Sequence, residues 1–268
     1  IWRFWKFGKW RKRRDFISCK GNEKNENFLS SLMKAIILAA GMGSRLLSLT
    51  MNQPKPLLEI GPTTIIGRLV NQFRELGIKS IIIVVGYKKD LIKSYFAGDQ
   101  DITIIEYEDY HSSNNLYTLW SIKEILNEDL IISFADLIMD NCIISNLISH
   151  DGDIVLSIHT KSILASTMRV QTKNNLVKTI TSTKKEDATG NFIGIAKFSK
   201  KGCNILNRNM EFTIRSKDRN LYYTSAIDRY VRNGGIVNAV DIEDSSWVEV
   251  DNISDYTKAK NTFTGDKS

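Results

Sequence analysis

Apolar and polar positions follow two different rhythms along this chain. Short, nearly continuous apolar runs predict strands buried on both faces, and apolar positions that recur every three to four residues predict helices. The predicted strands lie at 34–39, 80–86, 102–107, 130–136 and 153–159, and the predicted helices lie at 63–76, 88–96, 115–126 and 141–149. Strands that alternate with helices of this length indicate βαβ units, and hence an α/β fold with a mainly parallel sheet and helices on both faces.

The pattern becomes richer in strands after about residue 165. The segment 168-MRVQTKNNLVKTI-180 predicts a hairpin that turns at Asn174–Asn175. Further strands are predicted at 191–199, 236–242 and 247–251, and helices at 201–210, 221–232 and from about 254. Because no repeat or low-complexity linker interrupts the pattern, we expect a single domain at 33–268 with a β-rich second half.

The net charge of +7 belongs mostly to the first 32 residues. This segment carries nine Lys or Arg and three Asp or Glu, so six of the seven net charges lie there. The rest of the chain is close to neutral, and the charge therefore gives no argument for nucleic acid as a partner.

The same segment, 1–32, holds three of the five tryptophans and the cluster 11-RKRR-14. Basic residues interleaved with aromatic ones could lie on an anionic membrane or on nucleic acid, but the apolar centre of a signal peptide is missing. The sequence begins with Ile1, and Met33 stands just before the first predicted strand. We therefore expect Met33 to be the natural start and residues 1–32 to lie outside the fold.

Two classes of site are disfavoured by the cysteines and histidines. The three cysteines are far apart with no CxxC pair, and the three histidines have no metal-ligand spacing. We expect neither disulfides nor a zinc site, and hence a reducing cytoplasm. No apolar run approaches the roughly 20 residues that a membrane span needs.

Candidate chemistry follows the first predicted strand, in 38-LAAGMGSRL-46 and then 53-QPKPLLEI-60. Ligands of α/β proteins bind at the carboxyl ends of parallel strands. Gly41 and Gly43 allow backbone N–H groups to approach a phosphate closely, Arg45 offers a rigid fork of donors, and Lys55 lies on a segment stiffened by two prolines. Neither GxxxxGK[ST] nor GxGxxG is present, and GxG alone is equally typical of an ordinary turn.

The whole string resembles the signature of the nucleotidyltransferases that make NDP-sugars and CDP-alcohols, LAAGxGxRL followed by PKP. The resemblance extends through 85-VGY-87, 135-ADL-137 and 247-WVEVD-251. It implies a Rossmann-like, GT-A-like fold in which Arg45 and Lys55 neutralise a bound triphosphate as catalytic cations. The nucleotide-binding residues that it implies are Leu38, Ala39, Ala40, Gly41, Met42, Gly43, Ser44, Arg45, Lys55, Gly86 and Asn115.

Two aspartates are the candidate metal ligands. Asp136 ends a predicted buried strand, and Asp251 ends 247-WVEVD-251, where Trp247 and Glu249 share its face. By the resemblance, Asp136 and Asp251 bind Mg²⁺ together with substrate phosphates, although either could instead cap a helix. The implied reaction is attack of an acceptor phosphate or phosphonate oxygen on the α-phosphorus of an NTP with release of pyrophosphate, which needs no protein nucleophile.

The acceptor is indicated by 112-SSNNLYTLW-120, which resembles the phosphocholine cytidylyltransferase branch more than the Gly-rich segment of the sugar-nucleotide members. We therefore expect CTP as the donor and a phosphocholine-like or 2-aminoethylphosphonate-like acceptor. The predicted acceptor-binding residues are Asn114, Tyr117, Lys184, Asp228, Trp247 and Glu249. Simpler roles stay open, namely a helix cap for Asn115, a surface lysine at 184 or 185, a core position for Trp247 and a helix salt bridge for Asp228.

Other functions stay open from the sequence. The chain could be a sugar-1-phosphate nucleotidyltransferase that uses UTP, dTTP or GTP, or a non-catalytic nucleotide-binding regulatory domain. Arg45, Lys55 and the aspartate pair argue against the regulatory domain, because a binding module needs no metal pair. A tether function of residues 1–32 is a third alternative, and a homo-oligomer is compatible with the sequence.

Overall fold

The computed structural model describes residues 33–164, 167–183 and 186–264, so the segment 1–32 and Lys184 lie outside the described residues. Its strands are β1 (Lys34–Ala39), β2 (Glu59–Ile60), β3 (Thr63–Thr64), β4 (Ser80–Val85), β5 (Ile102–Glu106), β6 (Leu130–Phe134), β7 (Leu137–Met139), β8 (Ile154–His159), β9 (Met168–Lys173), β10 (Leu176–Thr181), β11 (Gly190–Phe198), β12 (Asn238–Asp241) and β13 (Trp247–Glu249). Its helices are α1 (Leu47–Thr50), α2 (Ile65–Glu75), α3 (Lys89–Tyr95), α4 (Asn115–Trp120), α5 (Asn141–Ser149), α6 (Lys200–Ile214), α7 (Thr224–Arg232) and α8 (Ile253–Phe263). None of the helices in this part of the chain is long and apolar enough to cross a bilayer.

A nine-stranded sheet in the order β5-β4-β1-β6-β11-β8-β12-β10-β9 forms the centre of the molecule. The strands β5, β4, β1 and β6 run parallel to one another. The antiparallel strand β11 then joins this half to the second one, which contains the β9–β10 hairpin. The expected α/β class, with a Rossmann-like half and a β-rich half, is confirmed.

The strand β1 is buried on both faces, as its continuous apolar run predicts. Ile36 packs with Leu116 of α4 on one side of the sheet, whereas Ile37 packs with Phe73 of α2 on the other. Side chains of a strand alternate between the two faces, so each face receives every second residue. This double packing fixes the carboxyl end of β1, from which the glycine loop begins.

The hairpin forms where the sequence predicts it. Asn174 and Asn175 have φ values of 53° and 58°, the left-handed conformation that a tight two-residue turn between twisted strands requires. The helix predicted at 115–126 is shorter, because α4 ends at Trp120 and the hydroxyl of Ser121 donates to the carbonyl of Thr118. Such local side-chain bonds compete with continuation of a helix.

The two expectations about the strands that carry the acids are wrong. The strand β6 ends at Phe134, so Asp136 lies in the turn before β7 rather than at a strand end. The strand β13 ends at Glu249, so Asp251 lies beyond it, and β13 pairs antiparallel with β7 outside the main sheet, with Glu249 opposite Leu137. The chain leaves the main sheet after the N–H of Ala135 donates to the carbonyl of Leu38, and the separate two-stranded ladder begins there.

Candidate active site

A cavity of about 570 Å³ opens beyond the carboxyl ends of β1 and β6. Its walls are the glycine loop after β1, Lys55, the amino-terminal end of α4 and an acidic cluster. The cavity therefore lies at the edge of the parallel half of the sheet, where α/β proteins bind ligands.

The glycine loop has a geometry that needs glycine at one position. Gly43 has φ of +61°, and a Cβ there would lie 3.1 Å from the Cβ of Lys55. At Gly41, by contrast, a Cβ would meet no atom within 4 Å. Glycine at position 43 thus allows the loop to pack against the lysine segment, and glycine at position 41 leaves open space beside the backbone.

Two cations and two acids that were predicted from distant parts of the sequence come together here. Lys55 begins a short 3₁₀ helix after Pro54, and its Nζ lies 2.5 Å from Oδ2 of Asp136 and 3.1 Å from Oδ1 of Asp251. An Nη2–Oδ1 distance of 2.8 Å joins Arg45 to Asp251. The side chain of Lys55 is 13% exposed and that of Arg45 is 63% exposed, so the arginine retains a large surface for a ligand.

A third carboxylate joins this group. Asp136, Glu249 and Asp251 each offer an oxygen within 4.8 Å of the others. Burial, followed by the negative charges of Asp136 and Asp251, raises the pKa of Glu249 well above its usual range. Burial alone would lower the pKa of Lys55, but the same two aspartates outweigh it and raise this pKa, so the ammonium stays charged.

The acidic cluster fits a divalent cation. Carboxylate oxygens are the ligands that Mg²⁺ takes from proteins, usually from one or two side chains. Oδ1 of Asp136 is buried and accepts no hydrogen bond within the described part of the chain, and a buried polar atom of this kind normally has a partner. The sequence predicted Glu249 for the acceptor rather than for this cluster, although its spacing of two from Asp251 was a signal.

Most of the predicted nucleotide-binding residues line the cavity. They are Leu38, Ala39, Ala40, Gly41, Gly43, Ser44, Arg45, Lys55 and Asn115. Met42 does not line it and is 43% exposed. Gly86 lies behind the loop, where an added Cβ would stand 2.7 Å from the ring of Tyr110 and 2.8 Å from the carbonyl oxygen of Ala40. Gly86 thus supports the wall instead of forming it.

The two asparagines at the start of α4 both line the cavity. The residue that caps the helix is Asn114, whose Oδ1 accepts from the backbone N–H of Asn115 at 2.8 Å. The suggestion that Asn115 caps the helix is therefore wrong, because its own Oδ1 accepts from the N–H of Tyr223 at 2.8 Å. Both amide oxygens are engaged by the backbone, so the amide NH₂ groups are the donors that each side chain has left for a ligand.

Tyr117 and Asp228 are placed outside the walls of this cavity. The ring of Tyr117 lies 4.8 Å from the guanidinium carbon of Arg219. The carboxylate of Asp228 accepts from the N–H of Ile180 at 2.9 Å and from Nε of Arg232 at 2.5 Å. The alternative of a helix salt bridge is thus present for Asp228, and the acceptor-binding roles of these residues stay predictions.

Trp247 lies two residues before Glu249 on β13 and does not line the main cavity. It is buried, and its ring centroid is 5.7 Å from that of His159. It lines a second cavity of about 450 Å³, which shares Glu249 and Thr167 with the first. The acceptor-binding role of Trp247 also stays a prediction.

Other walls of the main cavity carried no local signal in the sequence. They come from Tyr110, Phe134, Thr167, Met168, Ser182 and Tyr222. Only the folded sheet brings these residues together, so sequence reasoning missed them. Ser113 and Thr118 also line the cavity, and both lie in the segment 112–120 that the resemblance had singled out.

Comparison with known proteins gives a consistent set of relatives. Residues 35–164 match the model of the MobA-like NTP transferase domain. A CTP:phosphoglutamine cytidylyltransferase from Campylobacter jejuni is 27% identical over 248 residues, which are 83% of this chain and 97% of that protein. A choline-phosphate cytidylyltransferase from Streptococcus pneumoniae is 35% identical over 119 residues, which are 44% of this chain and about half (49%) of that protein.

A solved structure agrees with the fold described above. The CTP:phosphocholine cytidylyltransferase from Streptococcus pneumoniae superimposes with a TM-score of 0.73 at 24% identity, over 86% of this chain and 99% of that one. The nucleotidyltransferase α/β fold that the sequence predicts is thereby confirmed.

Proposed function

We propose that this chain, whose residues 35–164 match the MobA-like NTP transferase domain and which is similar to known cytidylyltransferases, transfers CMP from CTP to a phosphorylated or phosphonate head group. Pyrophosphate is the second product, and the reaction depends on Mg²⁺. The acceptor is phosphocholine-like or 2-aminoethylphosphonate-like, a small molecule with a polar or cationic end.

The observation that carries this proposal is the cluster of ion pairs beside the glycine loop, in which Arg45 and Lys55 contact Asp136 and Asp251. A triphosphate in the cavity meets the cations of Arg45 and Lys55 together with backbone amides, while Asp136, Glu249 and Asp251 offer oxygens to a divalent cation. A site that only stored a nucleotide would need the cations but not three converging acids. The combination supports group transfer between phosphates.

The residues of the site align the two substrates and neutralise the charge of their phosphates, and none of them forms a covalent bond to a substrate. An oxygen of the acceptor phosphate forms a bond to the α-phosphorus, the bond from that phosphorus to the bridging oxygen breaks, and pyrophosphate leaves with the electron pair. A phosphomonoester has a second pKa of about 6 and is already largely dianionic near pH 7, so no general base is required. Bound Mg²⁺ would neutralise the phosphate oxygens as charge shifts to the leaving group. Lys55 and Arg45 supply the remaining positive charge.

The choice of CTP and of a head group as substrates rests on three observations. The segment that contains Asn114 and Asn115 lines the cavity, and it resembles the cytidylyltransferase branch. One relative that aligns over almost its whole length is a CTP:phosphoglutamine cytidylyltransferase. The aromatic rings of Phe134 and Tyr222 on the cavity wall add a surface on which a cationic end can lie.

A pyrophosphate-release screen tests the proposal. CTP, UTP, GTP and dTTP are each combined with phosphocholine, 2-aminoethylphosphonate, phosphoglutamine or glucose 1-phosphate in the presence of Mg²⁺. We expect the fastest release from CTP with one of the head groups. Fastest release from another NTP with the sugar phosphate would identify a sugar-1-phosphate nucleotidyltransferase instead.

Two lysine variants make the screen specific for the site. Lys55→Gln removes a cation of the cavity. Lys201→Gln removes a lysine whose Nζ lies 2.6 Å from Oδ2 of Asp153, which directly precedes β8 and does not line the cavity. Release should fall with the first variant and persist with the second. If no pair of substrates gives release, the chain is not a catalyst of this class and the regulatory-domain alternative gains support.

A further inference from the structure

The ammonium of Lys55 lies between the oxygens that a divalent cation would use, in contact with Oδ2 of Asp136 and Oδ1 of Asp251. We propose that Lys55, assisted by Arg45, is an internal counter-cation of the acidic cluster that transfers to the triphosphate when the nucleotide binds. Metal affinity is then low until the nucleotide removes the lysine from the carboxylates. This inference rests on the proposed function, because it assigns the cavity to an NTP and a divalent cation.

Charge and distance give the first step. One carboxylate oxygen of each of Asp136, Glu249 and Asp251 lies within 4.8 Å of the other two. The Lys55 ammonium lies 2.5 Å from Oδ2 of Asp136 and 3.1 Å from Oδ1 of Asp251. A cation that took the same two oxygens would stand close to the ammonium, where like charges in a partly buried site repel strongly. Lysine and metal therefore compete for the acidic cluster.

The buried oxygen of Asp136 gives an independent indication that the cluster accommodates more than the lysine. Oδ2 of Asp136 contacts Lys55, but Oδ1 is buried and accepts no hydrogen bond from the described residues. An oxygen of this kind is left to a further ligand, since a buried acceptor without a partner is unfavourable. The lysine satisfies only half of this carboxylate.

The two cations are carried by long side chains, whereas the two aspartates have short ones. Lys55 has a flexible four-carbon stem on a backbone held by Pro54 and Pro56, so its ammonium can swing while its Cα stays in place. The side chain of Arg45 is 63% exposed, although it contacts the buried Asp251. Phosphate oxygens form strong charge-assisted hydrogen bonds with both cation types and so provide the alternative partner.

Reciprocal coupling follows from this exchange. If the nucleotide raises the affinity for metal, the metal must raise the affinity for the nucleotide by the same factor. Coupling between sites is commonly in the range of about 5- to 150-fold. Removal of the lysine charge should abolish much of the dependence of metal affinity on bound nucleotide. The acidic cluster should then bind metal without nucleotide.

Mn²⁺ binding without nucleotide is the direct test, followed through the electron paramagnetic resonance signal of the free aquo ion. We expect Lys55→Gln to bind Mn²⁺ about tenfold or more tightly than the wild type, within the usual range of coupling factors. Lys55→Arg retains the charge and should bind as weakly as the wild type. Lys201→Gln, which also lacks a lysine paired with a carboxylate but lies outside the cavity, should match the wild type.

Arg45→Gln is a second variant. The arginine side chain that it replaces is 63% exposed, so we expect the substitution to leave the fold intact. It should raise the Mn²⁺ affinity by a smaller factor than Lys55→Gln, because Arg45 contacts one carboxylate and Lys55 contacts two. Circular dichroism of each variant verifies that it is folded.

Equal Mn²⁺ affinity of folded Lys55→Gln and wild type would overturn the inference, as would tight Mn²⁺ binding by the wild type without nucleotide. Either result leaves the proposed function intact if the pyrophosphate screen is positive. Conversely, a negative screen together with tighter Mn²⁺ binding by Lys55→Gln would reject the proposed reaction and retain the counter-cation.

Discussion

Gly86→Ala should weaken nucleotide binding although Gly86 does not line the cavity. An ideal Cβ at this position stands 2.7 Å from two ring atoms of Tyr110 and 2.8 Å from the carbonyl oxygen of Ala40, whereas ordinary contacts are 3.4–4 Å. One of these neighbours must move. Tyr110 and Ala40 both line the cavity. Movement of either residue therefore changes the shape of the cavity in which we expect the nucleotide to bind.

Neither neighbour moves without cost. The carbonyl of Ala40 belongs to the backbone and accepts from the N–H of Tyr87 at 3.1 Å, and the ring of Tyr110 packs edge-on against Tyr87. Forcing an extra methyl group into such a contact typically costs about 1–3 kcal/mol. If nucleotide binding requires the original positions of these groups, that cost appears as a loss of affinity of about 5- to 150-fold, since 1.4 kcal/mol corresponds to a factor of ten.

Isothermal titration with CTP and Mg²⁺ measures this loss, and urea unfolding measures the change in the free energy of unfolding. Gly235→Ala is the matched control, because its Cβ would stand 2.5 Å from the ring of Tyr230, away from the cavity walls. We expect both variants to lose stability and only Gly86→Ala to lose affinity. Wild-type affinity in Gly86→Ala, with the control destabilised, would refute the assignment of Gly86 as a support of the nucleotide loop.

Three further predictions concern the site and the core. Lys55→Ala and Asp251→Ala should each lower kcat by about 100- to 1,000-fold with an unchanged circular dichroism spectrum, because each removes charge stabilisation in the cavity; near-wild-type turnover would contradict their roles. Trp247→Ala should lower the free energy of unfolding by about 3–5 kcal/mol and change the KM values of CTP and acceptor equally; a selective rise in the acceptor KM would instead support its predicted acceptor role. Burial raises the pKa of Cys203 to about 12, so peptide mapping after alkylation at pH 8 should find Cys142 modified before Cys203. Because the unfolded thiol ionises near pH 9 and the folded one does not, stability should also fall above pH 9.

The sequence predicted the elements whose signal is local. The apolar run of β1, the helix that places Phe73 on the sheet and the turn at Asn174–Asn175 each depend on neighbours within a few residues. The loop from Leu38 to Leu46 was found for the same reason, since its glycines and arginine follow directly after a strand.

The pairing of β7 with β13 had no such signal. Each strand has three residues, and their partners are far apart in the chain, so neither periodicity nor turn chemistry indicates the ladder. The sequence therefore placed Asp136 and Asp251 at the ends of predicted strands. Both in fact flank this small ladder, because Asp136 directly precedes β7 and Asp251 follows β13 by two residues.

This ladder ties the backbone of the acids together, whereas the cations come from separate loop segments. Glu249 pairs with Leu137 in the ladder, and the N–H of Val250 donates to the carbonyl of Asp136 at 2.9 Å, so main-chain hydrogen bonds fix the spacing of the acidic cluster. Arg45 and Lys55 reach the same cluster only through long side chains from loop segments. Because main-chain hydrogen bonds join the segments of the acids and long side chains carry the cations, we expect a polyanion that enters the cavity to draw the cations away and leave the carboxylates in place for the metal.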